Sequence, residues 1–438
     1  MENIKNNQKK SNMQKVALTA LAGTSIEWYD FFLYGAAAAL IFPTAFFGEM
    51  PPTTALLLSL LTFAAGFIAR PIGGIIFGHF GDKIGRKKTL ISALMLMGIS
   101  STLIGLLPTY AMIGVAAPIL LTTLRFAQGL AIGGQWGGAM LLVTESAPSD
   151  QRGYYGAFAQ AGAPIGVILA NLALIITSAL VSEEFFNTWG WRIPFLASAV
   201  LILISMYIQL NLEDTDAFKA LTNNKDTQSN ENIQKSPVVV AIRKYPKRIF
   251  LAAGAFLSVQ VTFYILIAFM LAYGVTSANM ARDDMLAAVL IASAIMVPIQ
   301  FVFSSYSDRH GRKGIFMLGA VLTGIWAFAI FPLVDTGNFY LIVLAITGGL
   351  VFLAMMYGPQ AAFFTELFST EVRYSGATLG YQFGAIVGGA FAPTIAVKLW
   401  TEFDIIWVSA YIALASLLTL ISVMALTETY QSDLNNTD

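Results

Sequence analysis

Twelve stretches of this chain are apolar over about 20 residues, the length of α-helix that crosses the hydrocarbon of a bilayer. They fall at about 17 to 42, 55 to 78, 89 to 107, 114 to 142, 155 to 181, 190 to 211, 248 to 274, 285 to 306, 314 to 333, 338 to 363, 375 to 399 and 405 to 426. A backbone in hydrocarbon has no water to bond to, so such segments must close their hydrogen bonds internally as helices. Charged residues make up 11% of the 438, under half of the roughly 25% usual for a soluble domain. The expectation is an all-α, multi-pass membrane protein with twelve transmembrane helices.

One long polar segment, "NLEDTDAFKALTNNKDTQSNENIQKS", separates the sixth run from the seventh. It divides the chain into an N-terminal segment (1–16), a six-helix bundle (17–211), a linker (212–247), a second six-helix bundle (248–426) and a short tail (427–438). The N-terminus is polar and basic, and the run behind it lacks a small-residue cleavage site, so it reads as a retained first helix. Of the 25 Lys and Arg, Arg70 and Arg125 lie inside runs and Arg192, Arg282 and Lys398 in loops of one side. The other twenty lie on the side shared by both termini and the linker, which makes that side cytoplasmic and the location the cell's inner or plasma membrane.

Several classes are excluded at this level. A net charge of zero with scattered basic residues gives no footprint for nucleic acid. Without cysteine there is no disulfide, thiol catalysis or thiolate metal site. No nucleophile–base pair, metal cluster or phosphate loop is present, so neither an enzyme nor a cofactor is expected. His79 and His310 sit beside polar loops and read as interfacial residues.

The two halves repeat. "GDKIGRKK" follows the second run and "SDRHGRKG" the eighth, so Asp82, Gly85, Arg86 and Lys87 recur 226 residues later as Asp308, Gly311, Arg312 and Lys313. A second echo pairs Glu145 and Arg152 with Glu366 and Arg373. Parallel six-helix repeats about a central cavity are one way in which secondary transporters are built.

The loop "GHFGDKIGRKK" resembles the cytoplasmic signature of the major facilitator superfamily, and nearly the whole chain fits that pattern. Within it, "IEWYDFFLYG", "RFAQGLAIGGQWGGA", "WGWRIPF", "LEDTDAF" and "RYSGATLGYQFGAIVGG" are similar to the metabolite:proton symporter family of shikimate, 2-oxoglutarate, citrate and proline/betaine carriers, with the shikimate-type branch nearest. The resemblance implies a functional monomer that takes up a small organic solute with a proton by alternating access. It also implies a cytoplasmic latch in which Asp82 with Arg86, and Asp308 with Arg312, meet Glu145 and Glu366. Gln135 stands where relatives often carry a glutamate.

Glu27 and Asp30 lie inside the first run, three residues apart and so on one helix face. At about 1.5 Å per residue they reach roughly 15 to 20 Å into the membrane, near the midplane that Arg70 and Arg125 also occupy. An unpaired charge there costs several kcal/mol, so each is expected to face the bundle interior with a partner. Burial favours a neutral acid and an arginine favours an ionised one, so a moving substrate can tip that balance. Asp30 is the first candidate for the proton and Glu27 the second. Arg125 is the candidate anchor for a carboxylate, because its planar fork matches one, and Arg70 the candidate for a midplane ion pair. The second half offers neutral groups instead: Gln260, Tyr264, Gln300, Tyr357, Gln360, Tyr381 and Gln382. Of these, all but Gln300 join Gln135 and Arg125 as candidate substrate contacts.

Glycines at 376, 380, 384 and 388, and at 133, 134, 137 and 138, give smooth faces for close helix approach. Proton-coupled uptake of a carboxylate, such as a shikimate-like or di- or tricarboxylic acid, is the leading expectation. Zwitterion symport and proton-coupled efflux are the alternatives, the latter from "GAPIG" at 162 to 166, similar to a drug-antiporter motif. Only eleven polar residues follow Thr427, too few for the coiled coil of osmosensing betaine carriers, which favours the carboxylate.

Overall fold

The computed structural model describes residues 2–84, 86–133, 140, 143–213, 237–369 and 372–430, and among them every regular element is helical. Helices coincide with each of the twelve apolar runs. They are α1 (Glu2–Leu40), α2 (Pro52–Ile84), α3 (Arg86–Leu106), α4 (Ala116–Gly133), α5 (Arg152–Leu180) and α6 (Ile193–Glu213). The second series is α7 (Pro246–Thr276), α8 (Arg282–His310), α9 (Arg312–Val334), α10 (Phe339–Glu366), α11 (373–402) and α12 (Ile405–Ala425). Ten of them are long and apolar enough to cross a membrane. The stretch Ile91–Leu106 of α3 is shorter, and α1 is diluted by its two acids and polar start. The helix begins well before the apolar run, because no glycine or proline interrupts residues 2–22. Most of the linker (214–236) and of the tail (431–438) lies outside the described residues.

Packing runs mainly within each series. α1 lies on α5 and α6, α2 on α4 and α3 on α6, while α10 packs on α8 and α9, and α12 on α9 and α7. The crossing contacts are α5 against α8 and α10, and α2 against α11. The glycine face of α11 meets α7: a Cβ at Gly380, Gly384 or Gly388 would lie 2.8 to 3.0 Å from Ala252, Phe256 or Gln260. "GAPIG" packs α5 onto α1, with Gly162 on Thr24 and Gly166 on Trp28. Both α7 and α11 widen into a π-helical turn, at Ile265–Phe269 and Ala385–Ala390, just beyond Tyr264 and Gln382. Such turns interrupt the regular side-chain spacing and recur at functional sites.

The segment after α12 folds back as a cap. Gly311, at φ 99°, turns α8 into α9 in a conformation that favours glycine. The first N–H groups of α9 then donate to Glu428, from Arg312 at 2.9 Å and Lys313 at 3.0 Å. Partial burial works against the Glu428 carboxylate, but the N–H groups of Arg312, Lys313, Tyr430 and Thr429 hold it below the usual glutamate range. A depressed folded value means that this contribution is present above the ordinary pKa of about 4.3 and is lost as pH falls through the folded value. Glu428→Ala is expected to cost about 1 kcal/mol at neutral pH, the usual worth of an N-terminal cap. Thermal unfolding in detergent checks it: the two proteins should differ at pH 7 and converge in acid.

Candidate functional site

α1, α2 and α4 bring one aromatic and two cationic groups together. Phe31 carries the Arg70 guanidinium 4.3 Å from its ring centroid and that of Arg125 at 4.2 Å. Arg70 also lies over Phe67 and Trp28, and Arg125 over Tyr34 and Phe63. Both arginines are buried, at 1% and 0% exposure. Arg125 donates to Gln128 Oε1 at 3.1 Å, and Gln128 donates to Ser101 at 2.7 Å. Nε and Nη2 of both arginines lack a hydrogen-bond partner, and no carboxylate lies within ion-pair distance of either among the described residues. The midplane ion pair expected of Arg70 is thus replaced by stacking, because the rings of Phe31 and Phe67 fill the space a carboxylate would need.

Asp30 is buried against α6, where Ser198 donates a hydrogen bond to Oδ1. The neighbouring Tyr29 hydroxyl donates to the Pro194 carbonyl at 2.9 Å, so α6 fixes this turn of α1 twice. Glu27 is only partly buried. Asp30 therefore forms no ion pair with either arginine.

Between the two series lies a small cavity of about 10 Å³, room for about one water. Four of the predicted neutral contacts line it: Gln260, Tyr264, Tyr357 and Tyr381. Trp28, Phe32 and Phe263 complete an aromatic wall, and Trp28 and Tyr264 separate the cavity from the arginines. Gln360 and Gln382 are buried but are not among the lining residues. Gln300 spans the halves instead, donating to the Ala157 carbonyl at 3.3 Å, as Gln160 does to that of Tyr357 at 3.2 Å. Gln135 lies outside the described residues, as do the side chains of Asp82 and Arg86.

At one end the repeat loop of the second half forms a buried ion cluster. Arg312 pairs with Asp308 at 2.6 Å and with Glu366 at 3.1 Å, and Thr429 donates to Glu366 at 2.8 Å. Asp308 also accepts from the Gly153 and Tyr154 N–H groups at 2.8 Å each, capping α5 across the halves. Glu145 pairs with Arg373 at 3.4 Å, a cross-half partner that the repeat pattern did not indicate. At the opposite end Arg282 donates to Ser178 at 2.7 Å, stacks 4.0 Å over Phe186 and pairs with Asp283. Contacts across the halves thus hold α5 at both of its ends. Asp308→Ala removes the two charge-assisted bonds that join the halves here and is expected to raise the population open at this end about tenfold. A single cysteine at cavity-lining Ala163, in a chain with no native thiol, reports it: labelling from that end should quicken, and an unchanged rate would count against the latch.

Sequence reading missed the residues that surround the charges. Phe31 and Trp28 lie within "IEWYDFF", where nothing marks a ring that will face a guanidinium, and Ser198 carries no signal beyond a lone hydroxyl in an apolar helix.

Comparison with known proteins agrees with this architecture. The profile of the Major Facilitator Superfamily matches residues 20–379. The chain is 39% identical over 432 residues to the inner membrane metabolite transport protein YhjE of Escherichia coli K12, covering 97% of this chain and 96% of that one. It is 36% identical over 405 residues to the shikimate transporter of the same organism, covering 92% of each. The partially occluded, inward-open structure of the Escherichia coli xylose transporter XylE superposes with a TM-score of 0.72 at 16% identity, covering 97% of this chain and 100% of that one.

Proposed function

The chain belongs to the major facilitator superfamily and is a multi-pass membrane transporter of metabolites, and from that premise we propose that it takes up a small organic acid together with a proton. Two six-helix bundles, 17–211 and 248–426, rock about the central cavity, with the termini and the linker on the cytoplasmic side of the cell's inner membrane. Asp30 carries the proton, Arg125 anchors the substrate's carboxylate, and Gln260, Tyr264, Tyr357 and Tyr381 meet the rest of the molecule.

The observation that supports coupling at Asp30 is its partner. A buried carboxylate bonded to an arginine strands that cation when it takes a proton, whereas Asp30 is bonded to the neutral hydroxyl of Ser198. It can gain and lose a proton without breaking an ion pair. Arg125, close by and linked through Gln128 and Ser101, senses the change without being tied to it.

Proteoliposomes test this directly. Labelled organic acids should accumulate when an inward proton gradient is imposed, and a protonophore should abolish the accumulation. Accumulation driven by an outward proton gradient would make the protein an antiporter, and indifference to the gradient would remove the proton from the mechanism.

A further inference from the structure

The end of the linker carries charge that the protein leaves open. "RKYPKR", residues 243–248, places four cations within six residues, where a short helix (Pro237–Lys244) turns into α7. Arg243, Lys244, Lys247 and Arg248 are all exposed, and among the described residues no carboxylate comes within ion-pair distance of any of them. Other cations of this face are engaged by the protein: Arg312 by Asp308 and Glu366, Arg373 by Glu145, and Lys313 by the carbonyls of Met424 and Leu426. The open cluster is also held in shape. The Lys244 ammonium lies 5.5 Å from the centroid of the Tyr245 ring and the Arg248 guanidinium 5.1 Å, so one ring gathers two charges that repel each other.

Depth decides what can meet this cluster. Phe250, two residues beyond Arg248 on α7, is 77% exposed, and Ile242, directly before Arg243, is 47% exposed. Two residues of helix rise only about 3 Å, so the hydrocarbon that covers Phe250 begins beside the cations and places them at the level of the lipid headgroups. We propose that residues 243–248 form a binding site for the headgroup of an anionic phospholipid. Its phosphate supplies acceptors for the ammonium and guanidinium donors, its net charge answers theirs, and its acyl chains lie along the exposed apolar flank. A zwitterionic headgroup brings an ammonium of its own against the cluster and gains less. The site also touches the latch from outside: Arg248 donates to the Leu367 carbonyl at 3.1 Å, and the Tyr245 and Ser369 hydroxyls lie 3.3 Å apart. A lipid held there braces the segment that directly follows Glu366.

The test uses the full chain in a neutral detergent, given phosphatidylglycerol, phosphatidylcholine or inorganic phosphate. Native mass spectrometry reads retained lipid, and thermal stabilisation against concentration reads affinity. Phosphatidylglycerol should be retained and should bind about tenfold or more tightly than phosphatidylcholine. Lys244→Gln combined with Lys247→Gln should weaken it about 25-fold, at about fivefold for each cation removed, while the same pair changed to Arg keeps it. Arg309→Gln, which removes an exposed cation of the same face outside the cluster, should leave it unchanged. All these positions are exposed, so the variants read binding and not folding. Equal retention of the two lipids, or full retention of phosphatidylglycerol by the double Gln variant, would overturn the site. Stabilisation by inorganic phosphate as strong as that by phosphatidylglycerol would overturn the lipid and leave a site for a free anion.

Discussion

Asp30→Asn is expected to abolish accumulation of substrate against its gradient while leaving exchange of substrate across the membrane in place. Under the proposed coupling, uphill uptake moves a proton on each cycle, whereas exchange needs only that the loaded carrier reorient. Asparagine keeps the size of the side chain and still accepts from Ser198, so the α1–α6 contact survives and the loss is one of chemistry, not of folding. The accumulation ratio should fall to about one, where each tenfold of gradient requires about 1.4 kcal/mol from the proton. Ser198→Ala separates position from chemistry: it removes the hydrogen bond but leaves the acid, and should slow coupled uptake without uncoupling it. Full proton-driven accumulation by Asp30→Asn would move the proton to Glu27.

The second large effect is structural. α2 and α4 approach so closely that a Cβ on Gly133 would lie 1.9 Å from the Arg70 carbonyl oxygen, one on Gly73 1.9 Å from that of Leu130, and one on Gly129 2.1 Å from that of Gly66. No side-chain adjustment relieves a clash with backbone. Gly129→Val must therefore push the helices apart, and they are the two that carry Arg70 and Arg125. Small residues at such crossings are what allows membrane helices to gain contact energy at all. The expected cost is several kcal/mol, with folded yield falling by about tenfold or more. Gly314→Ala is the matched control, because nothing lies within 4 Å of its added carbon. Size-exclusion profiles of both variants from membranes would decide it, and a monodisperse, transport-competent Gly129→Val would contradict the packing described.

The helices were legible because hydrocarbon leaves a backbone no other option, and Asp30 and Arg125 because charge is rare in such runs. The partners were not. Ser198 faces Asp30 only because α6 lies on α1, and one hydroxyl among apolar residues has no period or spacing to betray it. Arg70 was read as half of an ion pair since sequence counts charges, whereas packing chose the rings of Phe31 and Phe67 for it. Glu145 is matched by the repeat to Arg86, whose side chain lies outside the described residues, and it pairs with Arg373 of the other half, a contact set by how the two series meet. Glu428 looked like part of a polar tail, and its role depends on Gly311 turning the start of α9 toward it.

α5 is held at both ends by the opposite half: Asp308 grips its first turn, and Arg282 reaches Ser178 near its last. For a carrier that rocks, those two grips act like the pans of a balance, since opening either side releases one and keeps the other. Which way the empty carrier faces is set by neither grip alone but by the difference between them. Equal weakening of both leaves the populations of the two open forms alike and lowers the barrier on each side. Weakening one by about 1.4 kcal/mol tilts the ratio tenfold. The Asp308 grip is buried and the Arg282 one is part exposed, with Arg282 at 21% and Asp283 at 43%, so water competes more with the second and gives the tilt its sense.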